Sequence, residues 1–208
     1  MNPTQWEMIF QNDPHFHLKP HPRAVQFTNQ LLDRSLSSVL DLGCGGGRHV
    51  VHMARQDLHV TGMDNAPTAL KMTRQWLEED HLNAALVLAD MRQSLPFADG
   101  AFDAVLSSDV IHHALLDTVM GTAREIARVV RPAGMILLSV PLRRDHLKGS
   151  PEFDEIEPNT FIPTDGMEKG LPHHLFTPNE FQAIFPGFQV MELEVVDERV
   201  IVLQALKK

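Results

Sequence analysis

A chain of 208 residues, 43% hydrophobic and 22% charged, has the balance of an ordinary globular protein and the length to bury one sizeable core. A formal net charge of −9, with no run of Lys or Arg, argues against a nucleic-acid groove. The single cysteine, Cys44, leaves no internal disulfide, and neither a signal peptide nor the roughly 20 apolar residues of a membrane helix is visible, so a cytoplasmic protein without a membrane partner is expected.

Residues 1–21 are polar and irregular, punctuated by Pro14 and Pro20, although Trp6, Ile9 and Phe10 fit one apolar helical face able to dock this arm on the main body. His15, His17 and His21 lie close together but match no strong ligand spacing, so they read as solvated or capping residues and no metal is expected. Helical spacing continues over Arg23–Leu32, with Val25, Phe27, Leu31 and Leu32 on one side. Strands and helices then alternate. Strands are predicted at Ser38–Leu42, His59–Met63, Ala85–Ala89, Phe102–Ser107 and Met135–Val140; helices at Arg48–Arg55, Pro67–Glu79 and Leu115–Val130, the last with Leu116, Val119, Met120, Ala123 and Ile126 inward. Such alternation predicts an α/β fold with a doubly wound, mostly parallel sheet covered by helices on both faces.

Residues 142–176 break the rhythm. A connection this long inside one domain reads as a lid or binding loop, and Phe153, Ile156, Phe161 and Ile162 argue against plain disorder. Thr177, Pro178 and Glu180 then spell a capped helix start, with Phe176 placed to staple Phe181. Phe188–Val195 and Val200–Leu206, joined by a short polar turn, form a closing antiparallel hairpin. The organisation is one domain: an arm at 1–21, a core at 38–141, an insert at 142–176 and a closing helix and hairpin at 177–208.

The chemistry concentrates at Asp41-Leu42-Gly43-Cys44-Gly45-Gly46-Gly47-Arg48, where a strand passes through glycines into a helix. Glycines allow positive φ and leave backbone bare, and the helix behind them offers unpaired N–H groups. The nucleoside triphosphate pattern requires Gly-Lys-Ser/Thr, which is absent. The dinucleotide fingerprint requires a third glycine where Arg48 stands. Asp41 suits a ligand with a positive end, and Asp64, closing the next strand, is placed to accept from two ribose hydroxyls. This pair alone leaves both an adenosyl ligand and NAD open.

Five stretches in order carry a resemblance: the glycine turn, Gly62-Met63-Asp64, Leu88-Ala89-Asp90-Met91, Phe97–Asp103 and Arg128–Met135. Across residues 38–141 the chain resembles the class I S-adenosylmethionine-dependent methyltransferases. The resemblance implies a seven-stranded sheet with a reversed C-terminal hairpin and the cofactor lying over the ends of its first strands. It implies methyl transfer from S-adenosyl-L-methionine, with S-adenosyl-L-homocysteine as product. By position, Gly43, Gly45 and Gly47 would let the backbone approach the cofactor, Asp41 would lie near its ammonium, and Asp64 would bind the ribose with Asn65 against the adenine. Asp90 would accept from the adenine amino group, Met91 would pack on the ring, and Ser107 or Ser108 would meet the amino-acid end. Cys44, inside the same motif, reads as a small buried packer, and Asp90 has a helix-capping alternative.

Methyl transfer needs alignment more than acid–base help, and a base only when the nucleophile arrives protonated. His112 and His113, just past the fourth strand, are the candidates; His173 and His174 stand at the end of the insert, placed to close over the same pocket. Structural histidines are the alternative at all four. Ser107-Ser108-Asp109-Val110 lacks the Asn/Asp-Pro-Pro-aromatic motif of amino-methylating DNA enzymes, which together with the acidic charge points away from nucleic acid. Similar proteins methylate quinone precursors, amines or small inorganic species, and one cysteine offers no multi-thiol arsenic site. A small-molecule acceptor selected by residues 142–176 is therefore expected, and the acids of that segment read as a solvated face. No oligomeric state follows. An NAD-dependent oxidoreductase, or a silent adenosylmethionine-binding protein, is the alternative.

Overall fold

The computed structural model describes residues 5–13, 18–144 and 147–208. His15 and His17 lie outside the described residues. His21 is a capping residue: its Nδ1 accepts from the N–H of Arg23 at the start of α2 (Pro22–Asp33), with Pro22 in the first helical position.

The core is a seven-stranded sheet in the order β3 (Ala85–Leu88), β2 (His59–Asp64), β1 (Ser38–Leu42), β4 (Phe102–Ser108), β5 (Val130–Pro141), β10 (Val200–Lys207) and β9 (Phe188–Val196). Every pairing from β3 to β5 is parallel; β10 runs antiparallel to both its neighbours. The period of two along each strand sorts apolar side chains between two cores. Val39, Ala104, Leu106, Met135 and Leu137 face α2, α3 (Arg48–Ala54) and α4 (Pro67–Glu79). Leu40, Leu42, Val105, Ile136 and Leu138 face α5 (Leu116–Val129) and α6 (Pro178–Ala183). The chain winds outward in both directions from the β1–β4 pair, so a crevice opens at the carboxyl ends of those two strands.

Three details differ from the sequence expectations. Leu32 and Met120, expected to face inward, are 40% and 39% exposed, because Thr28 and Thr122 occupy the buried stripes instead and satisfy their hydroxyls on carbonyls one turn back. β5 starts at Val130 rather than Met135, since an irregularity opposite Phe102–Ala104 carries the strand through Arg131-Pro132-Ala133-Gly134. The insert, read as a lid or binding loop with no strands assigned, folds into a separate sheet of β6 (Phe153–Glu157), β7 (Thr160–Pro163) and β8 (His173–His174). The predicted capping box is present: Thr177 Oγ1 accepts from Glu180 N–H, the Glu180 carboxylate accepts from Thr177 N–H, and the Phe176 and Phe181 rings lie 5.3 Å apart.

Candidate functional site

The glycine turn between β1 and α3 is anchored on three sides. The N–H groups of Gly43 and Cys44 donate to the Met63 carbonyl at 2.8 and 3.0 Å, Thr73 of α4 donates to the Gly45 carbonyl at 2.9 Å, and Gly45 N–H donates to Asp64 Oδ2 at 2.8 Å. Gly47 caps α3 at φ +90°, and a Cβ there would sit 2.6 Å from Thr73 Cγ2. The turn therefore holds its shape only with glycine at this position.

Above the turn lies a cavity of about 760 Å³, and its walls come from three parts of the chain. The glycine turn, Asp64 and Asn65 form one end. Helix α1 (Gln5–Asn12) forms a second wall through Trp6 and Phe10. This arm docks as its apolar spacing predicts, with Ile9 and Phe10 buried, and its Glu7 carboxylate accepts from Thr68 N–H and Oγ1 at 2.9 and 2.6 Å. The insert supplies a third wall through Phe161, Met167 and His173, and Gln5 Nε2 reaches the Met167 carbonyl.

Asp64 accepts from Gly45 N–H on Oδ2 and Ala66 N–H on Oδ1, and the Asn65 N–H also bears on its carboxylate. Burial raises its pKa against the pull of these N–H groups. Asp41 does not line the cavity; it is 1% exposed and its Oδ2 is buried without a hydrogen-bond partner. Burial pushes its carboxyl up to about 7, with Arg48 acting in the opposite direction and Asp64 adding to the rise. Cys44 is a buried packer against Gly62, and burial raises its thiol well above the ordinary value. Gly43, Cys44, Gly45, Asn65, Met91 and Ser108 line the cavity, whereas Gly47 does not.

Asp90 and Ser107 do not. The Arg92 guanidinium and N–H take both Asp90 oxygens at 2.6 to 3.0 Å, leaving Ala89 and Met91 to form that part of the wall. Ser107 Oγ donates to the Leu42 carbonyl between strands. Arg48 is the residue sequence reasoning passed over. Read only as the break in a dinucleotide fingerprint, it lines the cavity and lies 3.4 Å from Ser108 Oγ. A cation in the first turn of the helix behind the glycines was the signal available.

His112 and His113, on the turn after β4, meet His173 of β8 in the wall of the same cavity. Ring centroids are 3.9 Å apart for His112–His113, 4.6 Å for His113–His173 and 5.5 Å for His112–His173. Burial, reinforced by the neighbouring imidazoles, takes His112 well below its usual pKa and His113 down to about 3; burial takes His173 to about 4. His174 stays apart from them, pairing its Nδ1 with Thr160 Oγ1 at 2.7 Å.

Comparison with known proteins agrees with this architecture. The sequence profile of a family described as "Methyltransferase domain" matches residues 40–138. A ubiquinone biosynthesis O-methyltransferase of Xanthomonas oryzae is 30% identical over 119 residues, which is 57% of this chain and 49% of that protein. A mouse (Mus musculus) tRNA (carboxymethyluridine(34)-5-O)-methyltransferase is 31% identical over 122 residues, 58% of this chain and 17% of that protein. The chain thus spans about half the length of the first of these relatives and less of the second. Among solved structures, the magnesium protoporphyrin IX methyltransferase of Synechocystis with bound S-adenosylmethionine superimposes with a TM-score of 0.65 at 15% identity, over 89% of this chain and 78% of that one. Over residues 40–138 the chain is thus similar to a methyltransferase domain, and it shares the fold of a methyltransferase that binds S-adenosylmethionine.

Proposed function

We propose that the protein transfers a methyl group from S-adenosyl-L-methionine to a small-molecule acceptor held between the glycine turn and the insert. The observation that carries this reading is one cavity lined both by the Asp64-anchored turn and by three histidines. When bound, the cofactor supplies a methyl group activated on a sulfonium sulfur and departs as S-adenosyl-L-homocysteine.

The residues present fit that group. Asp64 would accept the ribose hydroxyls, while Asn65, Ala89 and Met91 would flank the adenine. Arg48 would take the cofactor's carboxylate, and the buried Asp41 carboxyl beneath the turn would be favoured in its ionised form by the cofactor's ammonium and sulfonium. Asp90, committed to Arg92, shapes the adenine turn rather than contacting the base. Trp6 and Phe10 on one side and the insert on the other exclude water, which favours transfer by alignment and desolvation. Burial favours the neutral form of the His112, His113 and His173 imidazoles and so weakens them as proton acceptors.

An acidic chain of net charge −9 favours a small acceptor over a tRNA such as the one named for the mouse relative. A cytoplasmic location belongs to the same reading and is supported by the lone reduced cysteine; among the described residues no helix is long and apolar enough to cross a membrane. The test is S-adenosyl-L-homocysteine release with fractionated small-molecule extracts or with bulk tRNA as acceptor. Release with tRNA alone contradicts the reading.

A further inference from the structure

The three histidines at the acceptor end have an arrangement that packing alone does not explain. His112 Nδ1, His113 Nδ1 and His173 Nε2 are all buried without a hydrogen-bond partner, and His112 and His113 are only 4% and 7% exposed. Buried nitrogens normally find partners, and leaving three together unpaired is costly for a pocket that has no other use for them. One ring nitrogen from each lies within 4.8 Å of the other two. A tetrahedral metal with bonds of roughly 2.0–2.1 Å needs those nitrogens closer, so the rings must turn toward a common point on binding.

The fold builds this convergence deliberately. The backbone N–H of His174 donates to the His112 carbonyl at 2.9 Å, which clips β8 of the insert to the turn after β4 and brings His173 onto the pair. Trp6 packs edge-on against His113 at 4.8 Å and shields the cluster from the arm side. Glu168 Oε2 lies 3.6 Å from His173 Nε2 and places a carboxylate beside the three neutral rings.

We propose that His112, His113 and His173 bind a zinc-class divalent cation whose open fourth position, facing the cavity, takes the hydroxyl or thiol of the methyl acceptor as its anion. Three neutral imidazoles with one open position form a donor set suited to zinc or cobalt. The acceptor class follows: a molecule with a metal-coordinating hydroxyl or thiol, rather than an amine that needs no ionisation. The balance is complete. The acceptor's O–H or S–H proton passes to solvent on binding, the anion's lone pair forms the new bond to the methyl carbon, and the S–CH3 pair returns to sulfur to give S-adenosyl-L-homocysteine. The cation stabilises the anion before transfer.

This inference rests on the methyltransferase reading, and one set of titrations separates the two. Untagged full-length protein, stripped with chelator, is titrated with Zn2+ against a competing dye and with Co2+ followed by visible absorption; the same samples are titrated with S-adenosyl-L-homocysteine. The expected result is one equivalent of Zn2+, a tetrahedral Co2+ spectrum, and loss of both in His112→Gln and His173→Gln. The weakening should exceed the roughly 10–100-fold that loss of an outer-shell partner costs. His59→Gln, at the exposed start of β2, should bind as the parent does. Retained S-adenosyl-L-homocysteine binding shows that each variant is folded. Zinc binding unchanged in both cavity variants, or absent from a parent that binds S-adenosyl-L-homocysteine, overturns the metal site and leaves the methyltransferase reading standing. Zinc bound by a parent that does not take S-adenosyl-L-homocysteine supports the site and removes its role in methyl transfer.

Discussion

Asp64 Oδ2 accepts the backbone N–H of Gly45 at 2.8 Å, so the acid at the end of β2 holds the turn across from it as well as facing the cavity. This one contact joins the two halves of the proposed cofactor site. Asp64→Ala should weaken S-adenosyl-L-homocysteine by roughly 1–3 kcal/mol, through loss of a charged acceptor and relaxation of the turn. Calorimetry measures it directly, and an unchanged affinity removes Asp64 from the site.

Asp41 predicts a pH dependence whose sign is opposite to that of a salt-bridged acid. Its folded pKa is about 7, whereas an unfolded aspartate titrates near 3.9. Between those values the folded chain keeps a proton that the unfolded chain has lost, so its contribution to stability falls as pH rises from about 4 to about 7. Urea denaturation of Asp41→Asn should show a gain over the parent that grows from pH 5 to pH 8, together with weaker binding of the cationic cofactor. A gain that is the same at both pH values contradicts a buried, protonatable Asp41.

Gly47 tests the turn sterically. Gly47→Ala places a Cβ 2.6 Å from Thr73 Cγ2 at φ +90°, combining left-handed strain of about 1–2 kcal/mol with overpacking of about 1–3 kcal/mol. Thermal denaturation should show a clear drop. Gly166→Ala, also at positive φ but with nothing within 4 Å of the added Cβ, should show only the strain. Equal drops for the two would mean that the Gly47–Thr73 approach carries no weight.

The insert is predicted to serve turnover more than cofactor binding. Replacing residues 150–170 by a short Gly-Ser linker should abolish methyl transfer and leave S-adenosyl-L-homocysteine affinity within a few-fold. Glu157 in this segment accepts the Leu116 N–H at the start of α5 at 2.7 Å, so stability should fall by about 1 kcal/mol as that cap is lost. Parallel loss of cofactor binding would make the segment a structural part of the core.

The sheet was legible because each strand carries its own period and each connection its own caps: the alternation that sorts Leu40 from Val39 into opposite cores is local sequence. So were Gly43, Gly45 and Asp64, whose spacing is fixed by one strand and one turn. Ser107 and Ser108 could both be named from sequence, yet neighbours on a strand point to opposite faces, and the structure puts only Ser108 in the cavity. Asp90 differs for another reason. Whether its carboxylate faces a ligand or folds onto Arg92 depends on how the turn at residues 90–93 closes, which composition does not set. The histidine cluster was the least legible part. Its members are 60 residues apart in sequence between His113 and His173, and only the pairing of β8 with β7 and the His174–His112 clip bring them together.

The central claim is that the cavity over the glycine turn is an adenosyl site. A calorimetric titration of the unmodified chain with S-adenosyl-L-homocysteine and, separately, with NADH tests it most directly. One equivalent of S-adenosyl-L-homocysteine bound with no heat from NADH is the predicted result. Binding of NADH with none of S-adenosyl-L-homocysteine would contradict it.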